Sequence, residues 1–257
     1  MANLSDRQID EIARKIVGHF PPKGNTSGST SQPNPLATDE GIFPDINSAL
    51  EAVKIAQKYL SELPLSKRDD IIESIRDSMR DNAHLLAEMA HSETGLGRVE
   101  DKTEKNKLVA EKTPGTEDLY PSARSGDRGL SLFEPAPFGV IGAITPITNP
   151  TSTIICNTLG MVAAGNGVVF NVHPGAREVS IQNIVLINKA ILKAGGPSNL
   201  VATVVSPTIE SAQELMKHPG VNLLVVTGGA AVVKAAMQSG KRAICAGPGN
   251  PPVVVDE

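Results

Sequence analysis

A chain of 257 residues with 24 Lys and Arg against 28 Asp and Glu has a formal charge of −4, and so lacks the basic field that nucleic acid or an anionic membrane surface would require. Its most apolar region, 138–170, is interrupted by Pro146, Asn149, Pro150 and Asn166, short of the ~20 apolar residues of a membrane span. The N-terminus has no apolar signal block, and two distant cysteines make neither a disulfide framework nor a close-spaced zinc site, which fits a reducing cytoplasm.

In "SDRQIDEIARKIVGHF", Ile9, Ile12, Ala13, Ile16, Val17 and Phe20 form the stripe of an amphipathic helix over residues 1–20. Ser5 and Gln8 make a capping box, and Pro21 and Pro22 end the helix. Residues 21–40, with Leu36 as their bulky apolar side chain, predict a flexible linker. A helix this short is marginal alone in water, so its stripe must be buried either on its own domain or, as the long tether suggests, on a partner.

The period then turns helical: Ile46, Ala49, Leu50, Val53 and Leu60 mark one helix, Ile71, Ile72, Ile75 and Met79 another, and helices continue to about residue 112. "LSLFE" before Pro135 reads as an isolated strand, so 41–135 is expected to be a helical region with one strand. From Phe138 five short apolar runs, "FGVIGAIT", "VVFNVH", "LVATVV", "NLLVVTG" and "RAICAG", are separated by segments long enough for crossover helices. They predict an α/β fold, a doubly wound parallel five-stranded sheet, over 136–257.

Ligands of such a sheet bind beyond the carboxyl ends of the strands, here "TPITNPTST", "NVHPGA", "TGGAAVV" and "AGPGNPP". No G-x-G-x-x-G follows the first strand, so a bound dinucleotide would need another arrangement. "TGG" before a helix could offer amide N–H groups to a pyrophosphate, although a simple turn explains it as well.

"APFGVIGAITPITNPTSTIICNTLGMVAAGNGVVFNVHPGA", "HPGVNLLVVTGG", "AGPGNPPVVVDE", "SETGLGRVEDK" and "TPGTEDL" closely resemble the CoA-acylating aldehyde dehydrogenases of bacterial microcompartments, of the ethanolamine and propanediol utilisation type. The resemblance covers 41–257, and the helix over 1–20 resembles that family's encapsulation peptide. It implies an aldehyde dehydrogenase NAD-binding domain and the oxidation of a short aldehyde, acetaldehyde or propionaldehyde, to its acyl-CoA. NAD is then the cofactor and coenzyme A the co-substrate, with no metal. It also implies a shell or cargo partner for residues 1–20, a homo-oligomer at full length, and a cytoplasmic location inside a microcompartment.

By position the resemblance makes Asn149 the oxyanion donor, with Thr148 its rival because the wider family has an extra residue between Asn and Pro. An Asn-Pro turn is the plain alternative. Thr145 and Pro146 would line the nicotinamide side, Asn171, His173 and Pro174 the adenosine ribose, and Thr227, Gly228 and Gly229 the pyrophosphate or nicotinamide ribose. Pro174 stands where related enzymes carry a ribose carboxylate, so a 2′-phosphate would meet no repelling charge. Cys245 falls where hydrolytic relatives carry the glutamate that activates water, and is not the implied nucleophile; Cys156 is expected in the core. The family's nucleophilic cysteine lies in a catalytic domain that would follow "VVVDE", so these residues alone are expected to be inactive. The rival reading is a non-catalytic nucleotide-binding or cargo module targeted to a shell.

Overall fold

Asp45 caps the first described helix, its Oδ1 accepting a hydrogen bond from the Ser48 amide at 2.8 Å. The computed structural model describes residues 40–247, 249 and 252–255. The helix expected over 1–20, and the expected linker apart from Glu40, lie outside the described residues. In chain order the elements are β1 (Ile42–Phe43), α1 (Ile46–Glu62), α2 (Leu65–Asp81), α3 (Ala83–Thr94) and α4 (Val99–Lys112). A hairpin, β2 (Ser122–Gly126) and β3 (Gly129–Phe133), follows. Then come β4 (Val140–Ile144), α5 (Pro150–Ala163), β5 (Gly167–Asn171), α6 (Arg177–Lys193), β6 (Val201–Val204), α7 (Ile209–Lys217), β7 (Leu223–Thr227), α8 (Ala230–Met237) and β8 (Ala243–Ala246).

The main sheet has the order β1-β6-β5-β4-β7-β8, with every pair parallel. Alternation along the strands separates two cores. Ile141, Ala143, Val168 and Phe170 pack with residues of α2, α3, α5 and α6, whereas Val140, Ile144, Val169 and Leu224 pack with α1, α7 and α8. The apolar stripes read for α1 and α2 are buried at every position named.

The sheet has six strands where five were expected, because Ile42 and Phe43 pair with Thr203 and Val204 at one edge. Two residues between Gly41 and Pro44 are too few to show alternation. Gly41 is needed there: its φ is +81°, and a Cβ would lie 2.1 Å from the Val201 carbonyl oxygen. "LSLFE" is likewise not an isolated strand but one arm of the β2–β3 hairpin. Its partner, Ser-Ala-Arg-Ser-Gly, lacks bulky apolar side chains and so carries no apolar signal.

α6 is capped from a distance. Its N-cap residue, Ala176, has no capping side chain; instead the Glu93 carboxylate accepts from the amides of Glu178 at 2.9 Å and Val179 at 2.8 Å. Those two orphan donors and the helix dipole favour an anion there. Glu93→Ala is expected to lower stability by about 1 kcal/mol, with Glu93→Gln falling between it and the parent in thermal melts.

Candidate functional site

From β4 the chain steps to β5 and then β6 on one side, and β7 lands on the other side of β4. This reversal is a topological switch point, and doubly wound sheets take their ligands in the crevice beyond the carboxyl ends of the strands on either side of it, here β4 and β7. The segments after β4, β5 and β7 bring together most of the residues singled out in the sequence.

Thr145 is buried, its amide donates to the Asn171 carbonyl at 3.5 Å, and its hydroxyl finds no partner among the described residues. Pro146 is half-buried and Thr148 exposed. Asn149 is the N-cap residue of α5, with Pro150 in the first turn and φ −134°, ψ 56°. Asn is among the best capping residues, yet the Asn149 side chain makes no capping hydrogen bond. Its Oδ1 instead accepts from Lys105 Nζ at 2.8 Å. An ammonium only donates, so the amide oxygen must face it, leaving the NH2 group as the available donor.

Three further contacts with α4 and α6 fix this corner. Lys102, only 7% exposed, donates from Nζ to the Thr148 carbonyl at 3.2 Å. Burial, and next the nearby charge of Lys105, hold its pKa below the ordinary lysine value. Thr151, in the first turn of α5, donates its hydroxyl to Asn106 Oδ1 at 2.8 Å, and its carbonyl accepts from Asn183 Nδ2 at 3.1 Å.

After β5, Asn171 is buried and its amide is committed inward, donating to the Thr208 carbonyl at 3.3 Å and accepting from Ser211 Oγ at 2.5 Å. The residue therefore braces the start of α7. His173 is exposed and precedes a short turn formed by Pro174–Ala176. Its Nδ1 accepts from the Gly175 amide at 3.0 Å, so in the neutral ring Nε2 carries the proton and can donate. Although the residue as a whole is exposed, desolvation of the ring lowers its pKa, which favours this neutral form.

After β7, Thr227 and Gly228 are half-buried and Gly229 is exposed. Gly228 donates to the Ala246 carbonyl at 3.2 Å. Gly229 is the N-cap of α8 and provides no side-chain cap, and a Cβ placed on it would meet nothing within 4 Å. Backbone donors with open space before them suit a pyrophosphate. Cys245 is half-buried on β8, paired in register with Val226 and packed beside the second core. Cys156, expected in the core, is half-buried because it lies off the Ile154–Ile155–Leu159–Val162 face of α5. Among the described residues no His, Cys, Asp and Glu cluster is arranged for a metal ion, and no helix is long and apolar enough to cross a membrane.

Residues 35–257 match the model of the aldehyde dehydrogenase family. The chain belongs to that family. It is 50% identical over 255 residues to the acetylating acetaldehyde dehydrogenase EutE of Escherichia coli strain K12, a match covering 99% of this chain and 53% of the relative. Among solved structures it is similar to a propionaldehyde dehydrogenase from the fucose utilisation bacterial microcompartment of Clostridium phytofermentans. That match has 54% identity and a TM-score of 0.81, over 82% of this chain and 49% of the other. It is also similar to an engineered glycolyl-CoA reductase with bound NADP+, at 51% identity and a TM-score of 0.82, over 85% of this chain and 50% of the other. The chain spans about half the length of the curated relatives it matches.

In this aldehyde dehydrogenase chain, Lys102, Lys105 and Glu93 escaped sequence reading. The first two had a faint signal: two lysines three positions apart on a helix repel each other.

Proposed function

We propose that this chain is the nucleotide-binding portion of a CoA-acylating aldehyde dehydrogenase, which oxidises a short aldehyde to its acyl-CoA with NAD as hydride acceptor. The observation that carries the reading is the Asn149 side chain, which is withdrawn from helix capping and offers an amide donor at the switch crevice. The family match and the acetylating relative support the same chemistry. Bound in the crevice, NAD would supply an electrophilic ring that takes a hydride from the aldehyde carbon.

The chain's own residues then divide the work. Gly229 and the N-terminus of α8 receive the pyrophosphate, with Thr227 and Gly228 beside them, and glycine lets the backbone come close. His173 Nε2–H reaches the adenosine ribose, with Pro174 and Asn171 framing that loop. Pro174 brings no charge to repel a 2′-phosphate, so the preference for NAD over NADP is narrow. Thr145 and Pro146 border the nicotinamide. Asn149 donates to the aldehyde oxygen as it gains charge, an interaction that is strongest in the transition state. Cys245 stands in place of a water-activating carboxylate; a thiol is a poor general base at neutral pH, so the acyl group would await CoA.

In this reading the nucleophilic thiol belongs to the part of the relatives that these residues do not span. Residues 1–20 form a docking helix for a microcompartment shell or cargo protein, residues 21–40 its linker, and the full enzyme is a homo-oligomer. Titrating NAD and NADP into the 257-residue chain tests the cofactor site. Weak NAD binding is expected, and Gly229→Val should weaken it by at least about 10-fold, some 1.4 kcal/mol. Unchanged affinity in that variant would place the nucleotide elsewhere.

A further inference from the structure

We infer that Lys105, backed by Lys102, is a positioning residue that sets the direction of the Asn149 amide; this rests on the reading of Asn149 given above. Both lysines occupy α4, which begins at Val99. Like charges at i,i+3 repel, and Asp101 four positions before Lys105 offsets that only in part. Both also point at the N-terminal end of α5, a second region of positive partial charge. Two local preferences are thus broken together, the pattern expected where function overrides local stability.

The geometry shows what that arrangement achieves. Lys105 Nζ holds Asn149 Oδ1 at 2.8 Å, which favours the orientation with the amide oxygen on the ammonium and the NH2 turned away from it. Lys102 Nζ holds the Thr148 carbonyl at 3.2 Å. In a planar trans peptide the next N–H, that of Asn149, points the opposite way. Gly97 makes room for this second contact: its φ is +69°, and a Cβ would lie 3.1 Å from Lys102 Cε. The Thr151–Asn106 and Thr151–Asn183 bonds fix the adjacent turn of α5 to the same helix and to α6. The amide thus sits on a rigid platform, as an oxyanion donor must if it is not to reorganise during reaction.

Two measurements test the inference. In the 257-residue chain, the side-chain NH2 resonances of Asn149, assigned by Asn149→Asp, should shift in Lys105→Met and keep their positions in Lys105→Arg. Resonances unmoved by Lys105→Met would overturn it. In an enzyme made by joining these residues to the unspanned part of the Escherichia coli relative, Lys105→Met should lower kcat roughly 10-fold with little change in the KM for aldehyde, less than the loss from removing the donor itself. Lys105→Arg should restore most of that activity, and Lys105→Met should add nothing in an Asn149→Ala background. Effects that simply multiply would overturn the positioning role while leaving Asn149 in place. If Asn149→Ala itself leaves kcat unchanged, it is the reading of Asn149 that fails.

Discussion

In that joined enzyme, Asn149→Ala is expected to lower kcat by about 10²–10³-fold, the usual cost of losing one oxyanion donor, while NAD affinity stays near the parent value. The side chain makes no contact that stabilises its own helix, so the melting temperature should barely move. Asn149→Asp separates this from a capping role. Aspartate caps a helix as well as asparagine does, so a structural Asn would tolerate the change. As the donor it would not: a carboxylate paired with Lys105 offers no N–H and sets a negative charge against the forming oxyanion. Kinetics of the two variants beside their thermal melts decide between the roles.

Arg76→Met is expected to be the most destabilising of these substitutions, costing about 3–5 kcal/mol through the three carbonyls it leaves unpaired. At roughly 2–4 °C per kcal/mol for a chain of this size, the melt should fall by on the order of 10 °C. Arg76 is 5% exposed, and it closes the C-terminus of α4 from α2. Its guanidinium donates to the carbonyls of Ala110 and Glu111, each at 3.0 Å, to that of Thr113 at 2.9 Å, and to Glu117 Oε1 at 3.0 Å. Methionine fills the space but leaves the buried Ala110 carbonyl and the partly buried carbonyls of Glu111 and Thr113 without that donor. Glu117 is more exposed, its carboxyl held below the ordinary range first by backbone amides and then by Arg76, so Glu117→Gln should cost under about 1 kcal/mol. Because α4 bears Lys102 and Lys105, Arg76→Met should also blunt activity at temperatures where the chain is still folded.

Where apolar side chains repeat, the sequence was readable. The stripes of α1 and α2 and the runs of β4 to β7 report burial directly, and burial is what periodicity measures. β1 escaped because two residues cannot alternate, and β2 because Ser-Ala-Arg-Ser-Gly lacks the bulky apolar side chains that its equally exposed partner β3 has. The residues following each strand were legible through the architecture of parallel sheets and through resemblance to a family. Lys102, Lys105 and Arg76 were not, since each is separated from its partner by some 34 to 46 positions. Only folding shows that a charge run on a helix reaches a carbonyl and an amide of another element. Asn171 illustrates the converse: it lies at a strand's carboxyl end, but its polar atoms are turned to Thr208 and Ser211.

The measurement that bears most directly on the proposed chemistry is NADH formation from acetaldehyde by the joined enzyme, with and without CoA. Sustained NADH and acetyl-CoA should appear only when CoA is present, and Cys245→Ala should change the rate by no more than a few fold, because CoA and not a water activated at position 245 releases the acyl group. Sustained NADH without CoA, yielding free acid and abolished by Cys245→Ala, would contradict both the role assigned to Cys245 and the CoA-acylating reaction.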